Sequence, residues 1–200
     1  MKWIVFTSPD FLPGESDFIN RLFDCGLDCL HFRKPGASVY DCERLIENID
    51  SKWRNRIVVH DNFELCRRWH LGGVHLNSRN PIAPSSHSGT VSRSCHGLEE
   101  VERYKSECDY LTLSPIFNSV SKQGYMAAFT NEKLMEAKSC GIIDKNVVAL
   151  GGITLQNIPE AMVYGFGGVA MLGDVWNRMT DENVDDYLAA VRKACSDGER

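Results

Sequence analysis

Long apolar runs, paired cysteine motifs and zinc-type histidine spacings are all missing from this chain of 200 residues. The first apolar run, Trp3 to Thr7, is far too short for a signal sequence or a membrane span, so we expect a cytoplasmic protein. The eight cysteines include no Cys-x-x-Cys pair, so we expect small buried apolar residues rather than disulfides or catalytic thiols. The six histidines include no pair at local zinc spacing, so no dedicated zinc site is expected.

Positive charge is not in excess either. The 22 basic residues are outnumbered by 27 acidic ones, and this balance argues against partners such as nucleic acid or an anionic membrane. Hydrophobic residues at 43% and charged residues at 24% exclude a disordered chain, a collagen-like repeat and a coiled coil. We therefore expect small-molecule partners and one domain over residues 1–200. The sequence leaves the oligomeric state open, a homo-oligomer included.

Eight short runs of β-branched and aromatic residues alternate with segments of helical spacing. The predicted strands are 3–7, 28–32, 56–60, 73–76, 90–94, 110–113, 146–150 and 168–172. The predicted helices are 17–24, 40–50, 62–69, 98–106, 131–139, 156–164 and 184–195. Segment 77–89 is rich in Ser, Pro and Asn, so the helix after strand four is expected to be shortened or missing. The pattern favours an α/β fold, a compact single (β/α)8 TIM barrel, over an open sheet, whose dinucleotide form would need Gly-x-Gly-x-x-Gly after strand one.

Polar side chains follow the strands at their carboxyl ends, where such a barrel places its chemistry. The candidate residues there are His31, Arg33, Lys34, His60, Asp61, Ser94, Ser119, Ser121 and Lys122. Basic groups and hydroxyls around one carboxylate suit a phosphorylated ligand, with Asp61 free to hold Mg²⁺. The alternative for Asp61 is to cap the helix that begins near Asn62. We expect His75 to be a packed, hydrogen-bonded core group.

Glycines follow strands seven and eight. Gly151 and Gly152 precede a helix that Thr154 could cap, and Gly173 follows the last strand. Backbone N–H groups at these two loops often bind phosphate in barrels, so Gly151, Gly152 and Gly173 are candidate phosphate-binding residues. The alternative is that the glycines only make tight turns.

Three stretches together resemble the thiamine phosphate synthase family and its tautomerase-type relatives. They are DYLTLSPIFNSVSK at 109–122, VALGGI at 148–153 followed by Asn157, and GGVHL at 72–76. The resemblance runs over nearly the whole chain. It implies a barrel that joins a pyrimidine methyl diphosphate to a thiazole phosphate, releases pyrophosphate and uses Mg²⁺.

The resemblance also implies roles for individual residues. Arg33 would bind the diphosphate of the pyrimidine substrate, and Lys122 would neutralise the departing pyrophosphate. Ser119 and Ser121 fall on hydroxyl positions that contact thiazole phosphate, and Asp61 on the first metal aspartate. The remaining matches are Ser94 after the fifth strand and the phosphate-cradling backbone of Gly152, Leu172 and Gly173.

Four positions depart from the family pattern. His31 stands where the family has Gln, Pro35 where it has a second basic residue, His60 where it has Asn, and Asn80 where it has a second metal carboxylate. Fewer charges at a Mg²⁺-diphosphate site predict reduced or altered synthase activity. Lys34, one position early, is expected to point to the other side of the strand unless the turn redirects it.

Two other functions stay open. One is a non-catalytic barrel that binds a thiazole or pyrimidine phosphate. The other is a tautomerase-type proton-transfer enzyme, in which His31 or His60 would carry the proton. Pro115 stands where the tautomerase relatives have a histidine, which weakens the second alternative.

Overall fold

Eight parallel strands close into a barrel in the computed structural model, which describes residues 1–118 and 127–197. The strands are β1 (Lys2–Phe6), β2 (Cys29–Phe32), β3 (Ile57–Val59), β4 (Gly73–Leu76), β5 (Thr90–Cys95), β6 (Tyr110–Leu113), β7 (Val147–Leu150) and β8 (Gly168–Met171). Each strand pairs with the next along the chain, and β8 pairs with β1. The predicted TIM barrel is confirmed, and no observed strand end differs from its predicted position by more than one residue.

Helices cover the outside of the barrel. In the described ranges they are α1 (Glu15–Asp24), α2 (Val39–Glu47), α3 (Glu64–Arg68), α4 (Leu98–Tyr104), α5 (Asn131–Ser139), α6 (Ile158–Val163), α7 (Gly173–Trp176) and α8 (Val184–Ser196). Short 3-10 helices run over Ser51–Arg56 and Leu155–Asn157. Ser38 caps α2, because its hydroxyl accepts a hydrogen bond from the Asp41 amide at 3.1 Å. The prediction missed α7, whose four residues are too few to show a helical period.

The loop between β4 and β5 contains no helix, as predicted. Asn77 organises its start, because its side-chain oxygen accepts hydrogen bonds from the amides of Arg79 at 2.9 Å and Asn80 at 3.1 Å. This local bonding competes with helix formation. The loop therefore stays at the carboxyl end of the barrel, and Arg79 and Asn80 lie beside Asp61.

The strand residues alternate between the helical layer and the barrel lumen. One side of the lumen is hydrogen-bonded; we call it the polar half and define it by His31, His60, His75, Ser92 and Ser94. The other side is packed with hydrocarbon; we call it the apolar half and define it by Ile4, Phe6, Val148 and Ala170. Tyr110 belongs to the apolar cluster through its ring and reaches the polar half through its hydroxyl.

None of the helices within residues 1–118 and 127–197 combines the length and the apolar character that crossing a membrane would need.

Candidate active site

Three histidine rings meet inside the barrel. His31 Nδ1 lies 2.9 Å from His60 Nε2, and the rings of His60 and His75 stack with their centroids 4.2 Å apart. His31 Nε2 lies 2.5 Å from the Tyr110 hydroxyl, and Phe6 stacks on the His31 ring at 4.6 Å. His31 on β2, His60 directly after β3 and His75 on β4 all face the lumen, so closure of the barrel brings their rings together.

Serine hydroxyls hold the third ring. His75 Nδ1 lies 2.8 Å from Ser92 Oγ, and His75 Nε2 lies 2.8 Å from Ser94 Oγ. The expectation that His75 is a packed, hydrogen-bonded core group is confirmed. Ser94, a predicted substrate-binding residue, contacts this ring and remains half-buried at the end of β5.

Burial keeps the three imidazoles neutral. Desolvation lowers the pKa of His31 to about 3 and lowers the pKa of both His60 and His75 well below 6.5. The Arg33 guanidinium lies close enough to lower the pKa of His60 and His75 further. At neutral pH these rings therefore act as hydrogen-bonding groups and as potential metal ligands, and not as cations.

Arg33 presents a guanidinium that has no ion-pair or hydrogen-bond partner in the described part of the chain. Its backbone is fixed by Thr7, whose hydroxyl oxygen accepts from the Arg33 amide and donates to the Arg33 carbonyl, both at 2.9 Å. The half-buried side chain thus starts from a rigid point at the end of β2. Such a group can bind a diphosphate without first giving up a protein partner.

Lys34 lies in a different environment from its neighbour, and its predicted role in substrate binding needs correction. Its ammonium donates to both carboxylate oxygens of Glu15, at 2.6 and 2.7 Å, and to the carbonyls of Ser8 and Asp10. The side chains of both Lys34 and Glu15 are almost completely buried. Three ammonium donors are thereby used, so Lys34 fastens the β1–α1 loop to β2 and leaves nothing for a substrate.

One carboxylate oxygen of Asp61 is hydrogen-bonded to another described residue, and the other oxygen is not. Its Oδ1 accepts a hydrogen bond from the Asn80 amide at 2.8 Å and lies 3.7 Å from the Arg79 guanidinium. Its Oδ2 is buried and has no hydrogen-bond partner among the described residues. Helix α3 starts at Glu64 with Phe63 at its N-cap position and no capping side chain, so the capping role considered for Asp61 is not observed.

The Oδ2 atom of Asp61, which has no hydrogen-bond partner among the described residues, makes this position suitable for a magnesium ion. Mg²⁺ takes oxygen ligands and is often held by one or two carboxylates together with substrate phosphates. A buried carboxylate oxygen without a donor is a suitable first ligand, and the Asn80 amide stands where a second carboxylate would add charge. The residues present therefore fit a magnesium ion held jointly by Asp61 and a phosphorylated substrate.

Two loops at the ends of β7 and β8 offer unpaired backbone donors. The amides of Gly152 and Gly173 have no hydrogen-bond acceptor within residues 1–118 and 127–197. Gly152 has φ +67°, and a Cβ on it would lie 2.4 Å from the Asn118 carbonyl oxygen, so only glycine fits here. Asn157 braces the turn, accepting from the Thr154 amide at 2.9 Å and donating to the Gly152 carbonyl at 2.8 Å.

Three further candidates, Ser119, Ser121 and Lys122, lie outside the described residues. Gly151 and Leu172 lie half-buried beside Gly152 and Gly173. Sequence reasoning missed Tyr110 and Arg79 as residues of the site. Strand alternation could have indicated Tyr110, which shares a face with its neighbour at i+2. Arg79 lies in an irregular loop and gave no signal.

Comparison with known proteins adds a consistent picture. A family model described as "Thiamine monophosphate synthase" matches residues 10–175. The crystal structure of a thiamine phosphate pyrophosphorylase from Bacteroides thetaiotaomicron is 42% identical, with 100% of both chains covered and a TM-score of 0.88. A thiamine-phosphate synthase of Parasynechococcus marenigrum (strain WH8102) is 30% identical over 92% of this chain and 54% of that protein. One of Pediococcus pentosaceus is 25% identical over 88% of this chain and 85% of that protein.

Proposed function

Because the chain belongs to the thiamine monophosphate synthase family, we propose that it joins a pyrimidine methyl diphosphate to a thiazole phosphate and releases pyrophosphate. The observation that supports this most is the Arg33 guanidinium at the mouth of the polar half, which has no partner among the described residues. A cation held at a rigid strand end, beside neutral rings, is suited to a diphosphate anion.

The reaction exchanges one bond for another. The thiazole nitrogen gives its lone pair to the pyrimidine methyl carbon, and the electrons of the breaking C–O bond leave with pyrophosphate. Arg33 and Lys122 would meet the charge that develops on the leaving group, which is the electrostatic stabilisation that such a displacement requires. Electron release from the aminopyrimidine ring would support the positive charge at the methyl carbon.

Asp61 would hold Mg²⁺ through its unpaired Oδ2 atom. When bound, the ion would supply positive charge to the diphosphate. With Asn80 in place of a second carboxylate, this chain offers fewer charges for the ion, so we expect weak Mg²⁺ binding in the absence of substrate.

The thiazole phosphate would bind at the other side of the mouth. The free amides of Gly152 and Gly173 would donate to its phosphate, with Gly151 and Leu172 shaping the two loops. Ser119 and Ser121 are proposed to add hydroxyl contacts, and Ser94 to contact the pyrimidine side.

His60 and His31 differ as substrate-binding residues. His60 Nδ1 has no partner among the described residues, so this nitrogen can contact the pyrimidine. Both nitrogens of His31 are engaged, by His60 and by Tyr110, and the ring is fully buried. His31 would therefore act on the substrate only through His60, as a positioning residue.

A proton-transfer function is the second candidate, favoured by the unpartnered His60 Nδ1. The lowered pKa values oppose it, because a ring that resists protonation is a weak base near neutral pH.

The eight cysteines are all unpaired, which supports a reducing, cytoplasmic location for either activity.

The test is to incubate the protein with both phosphorylated substrates and Mg²⁺ and to measure thiamine phosphate and pyrophosphate. We expect equimolar products, and we expect Arg33→Gln to lower kcat/KM by about 100-fold, in line with the loss of one charged transition-state contact. Arg67→Gln is the matched control, since Arg67 is exposed on α3, and it should retain the wild-type rate. Binding of both substrates without product would establish the non-catalytic alternative instead.

A further inference from the structure

We propose that His31, His60 and His75 form a binding site for one Zn²⁺ ion inside the barrel, separate from the magnesium position at Asp61. One ligand nitrogen from each ring can be chosen so that all three lie within 4.8 Å of one another. All three rings are buried. The site would come from three strands, so no local histidine spacing could have shown it.

The ligand set points to a transition metal of this class. It consists of three imidazoles and no carboxylate, which suits Zn²⁺ far better than Mg²⁺ or Ca²⁺. Imidazole binds metal in its neutral form, and burial keeps these rings neutral. Three histidines leave a fourth position for water or a ligand oxygen.

Metal binding needs the ring nitrogens to shift. Two nitrogens bound to a tetrahedral Zn²⁺ at about 2.1 Å are roughly 3.4 Å apart, so ligand atoms that start as far as 4.8 Å apart would close by up to about 1.4 Å. His31 Nδ1 and His60 Nε2 are 2.9 Å apart, as a hydrogen bond requires. A metal would replace the shared proton between these two atoms and separate them by a few tenths of an ångström.

The surrounding groups already orient two of the three rings, His31 and His75, as a metal site requires. Metal-bound histidines almost always have a hydrogen-bond partner on the second nitrogen. Tyr110 holds His31 Nε2, and His75 has a serine on each nitrogen, so one serine can orient the ring while the other nitrogen binds. These partners fix the direction of the His31 and His75 rings before any ion arrives.

An unsatisfied hydroxyl gives a second, independent indication that the lumen holds a ligand. Thr112 shares a strand face with Tyr110, pairs in register with Ser94, and is fully buried. Its hydroxyl has no hydrogen-bond partner within the described residues. A buried hydroxyl without a partner destabilises the fold, and a metal-bound water is one group that would satisfy it.

Arg33 and Arg79 act against a dication, since both lower the pKa of His60 through their charge. An anionic fourth ligand, such as hydroxide or a phosphate oxygen, would offset this repulsion. The charge balance of the site therefore favours a metal with an exchangeable anion over a closed structural ion.

The experiment measures metal content and does not depend on synthase turnover. The full-length protein is stripped with a chelator, dialysed against Zn²⁺ and then against metal-free buffer, and analysed by mass spectrometry of the metal. A parallel titration with Co²⁺ reports geometry through its visible bands. We expect about one Zn²⁺ per chain and strong tetrahedral Co²⁺ bands, both persisting in excess Mg²⁺.

Variants decide between this site and a hydrogen-bonded core. His31→Gln and His60→Asn should lose the bound metal, whereas His96→Gln, at an exposed histidine, should keep it. Should either cluster variant fail to fold, Tyr110→Phe removes only the hydroxyl that orients His31 and should weaken Co²⁺ binding by about 10- to 100-fold. Absence of bound metal in the folded wild type, or equal metal content in the wild type and folded cluster variants, would overturn the proposal.

Discussion

The two halves of the lumen fill the same barrel with different chemistry. Ile4, Phe6, Val148 and Ala170 fill the apolar half as an ordinary core does. The polar half contains three buried imidazoles whose nitrogens bond to one another, to Tyr110 and to two serines. Apolar side chains would stabilise the fold about as well in this half, because a buried polar network gains little net stability over well-packed apolar residues. The difference indicates that the apolar half supports the fold and that the polar half serves function.

Lowering the pH should reveal the largest difference between the two halves, because it should destabilise the fold through the histidines of the polar half. The pKa of His31 is lowered to about 3 on folding, and the pKa values of His60 and His75 also fall below their ordinary value. The unfolded chain therefore binds more protons below about pH 6.5, so stability is complete above that pH and is lost as the pH falls toward 3. Each histidine contributes a slope of up to about 1.4 kcal/mol per pH unit.

Urea unfolding of the metal-free protein at several pH values from 7 to 4.5 measures this slope. His31→Gln should reduce the slope of the unfolding free energy against pH by the contribution of one histidine, while Ile4→Val should leave the slope unchanged. A free energy of unfolding that stays constant across this range would show that the rings titrate as they do in water.

Removing bulk from the apolar half should give the next largest effect. Ile4 is fully buried in the hydrocarbon of that half, so Ile4→Ala removes packed methyl groups and leaves a cavity. We expect a loss of about 2–5 kcal/mol in the free energy of unfolding at pH 7. Zinc stoichiometry and pyrophosphate affinity of the folded fraction should stay as in the wild type. A loss below about 1 kcal/mol would mean that this half is not a packed core.

A smaller effect is expected from His75→Leu in the polar half. The leucine fills a similar volume, but Ser94 Oγ loses its imidazole partner and Ser92 Oγ keeps only a 3.4 Å hydrogen bond to the Val74 carbonyl. The lost hydrogen bonds should cost about 1–3 kcal/mol, measured by urea unfolding. Adding Ser92→Ala and Ser94→Ala to His75→Leu should recover most of this loss, because no polar group is then stranded. Failure of the triple variant to recover would show that the histidine itself stabilises the fold.

The sequence could predict the barrel because period-two strands and helical segments alternate regularly, and because the loop 77–89 lacks helical spacing. It also placed His31, His60 and Asp61 at the carboxyl ends of strands. It could not show that three histidines from separate strands bond to one another, since that depends on barrel closure. Lys34 illustrates the same limit in part. The sequence predicts that it points away from Arg33, but its buried pair with Glu15 depends on the position of the β1–α1 loop, which the sequence does not show.

For a similar reason, the sequence could not show that Arg79 and Asn80 are neighbours of Asp61. Their positions follow from hydrogen bonds that Asn77 makes within an irregular loop. The glycines after β7 and β8 were easier, because they directly follow strands that the sequence pattern places. The structure adds that a positive φ and a close carbonyl restrict position 152 to glycine.

The central claim is that the two sides of the mouth bind different anions, with diphosphate at the polar half and thiazole phosphate at the β7 and β8 loops. Calorimetric titration of each ligand into wild type, Arg33→Gln and Gly173→Val, with Mg²⁺ present, tests it most directly. Arg33→Gln should weaken pyrophosphate binding by about 10- to 100-fold, the equivalent of roughly 1.4–2.7 kcal/mol, and leave the Kd of thiazole phosphate unchanged. Gly173→Val should abolish thiazole phosphate binding and spare pyrophosphate. Equal losses of both ligands in either variant, or no loss in both, would contradict the division of the mouth.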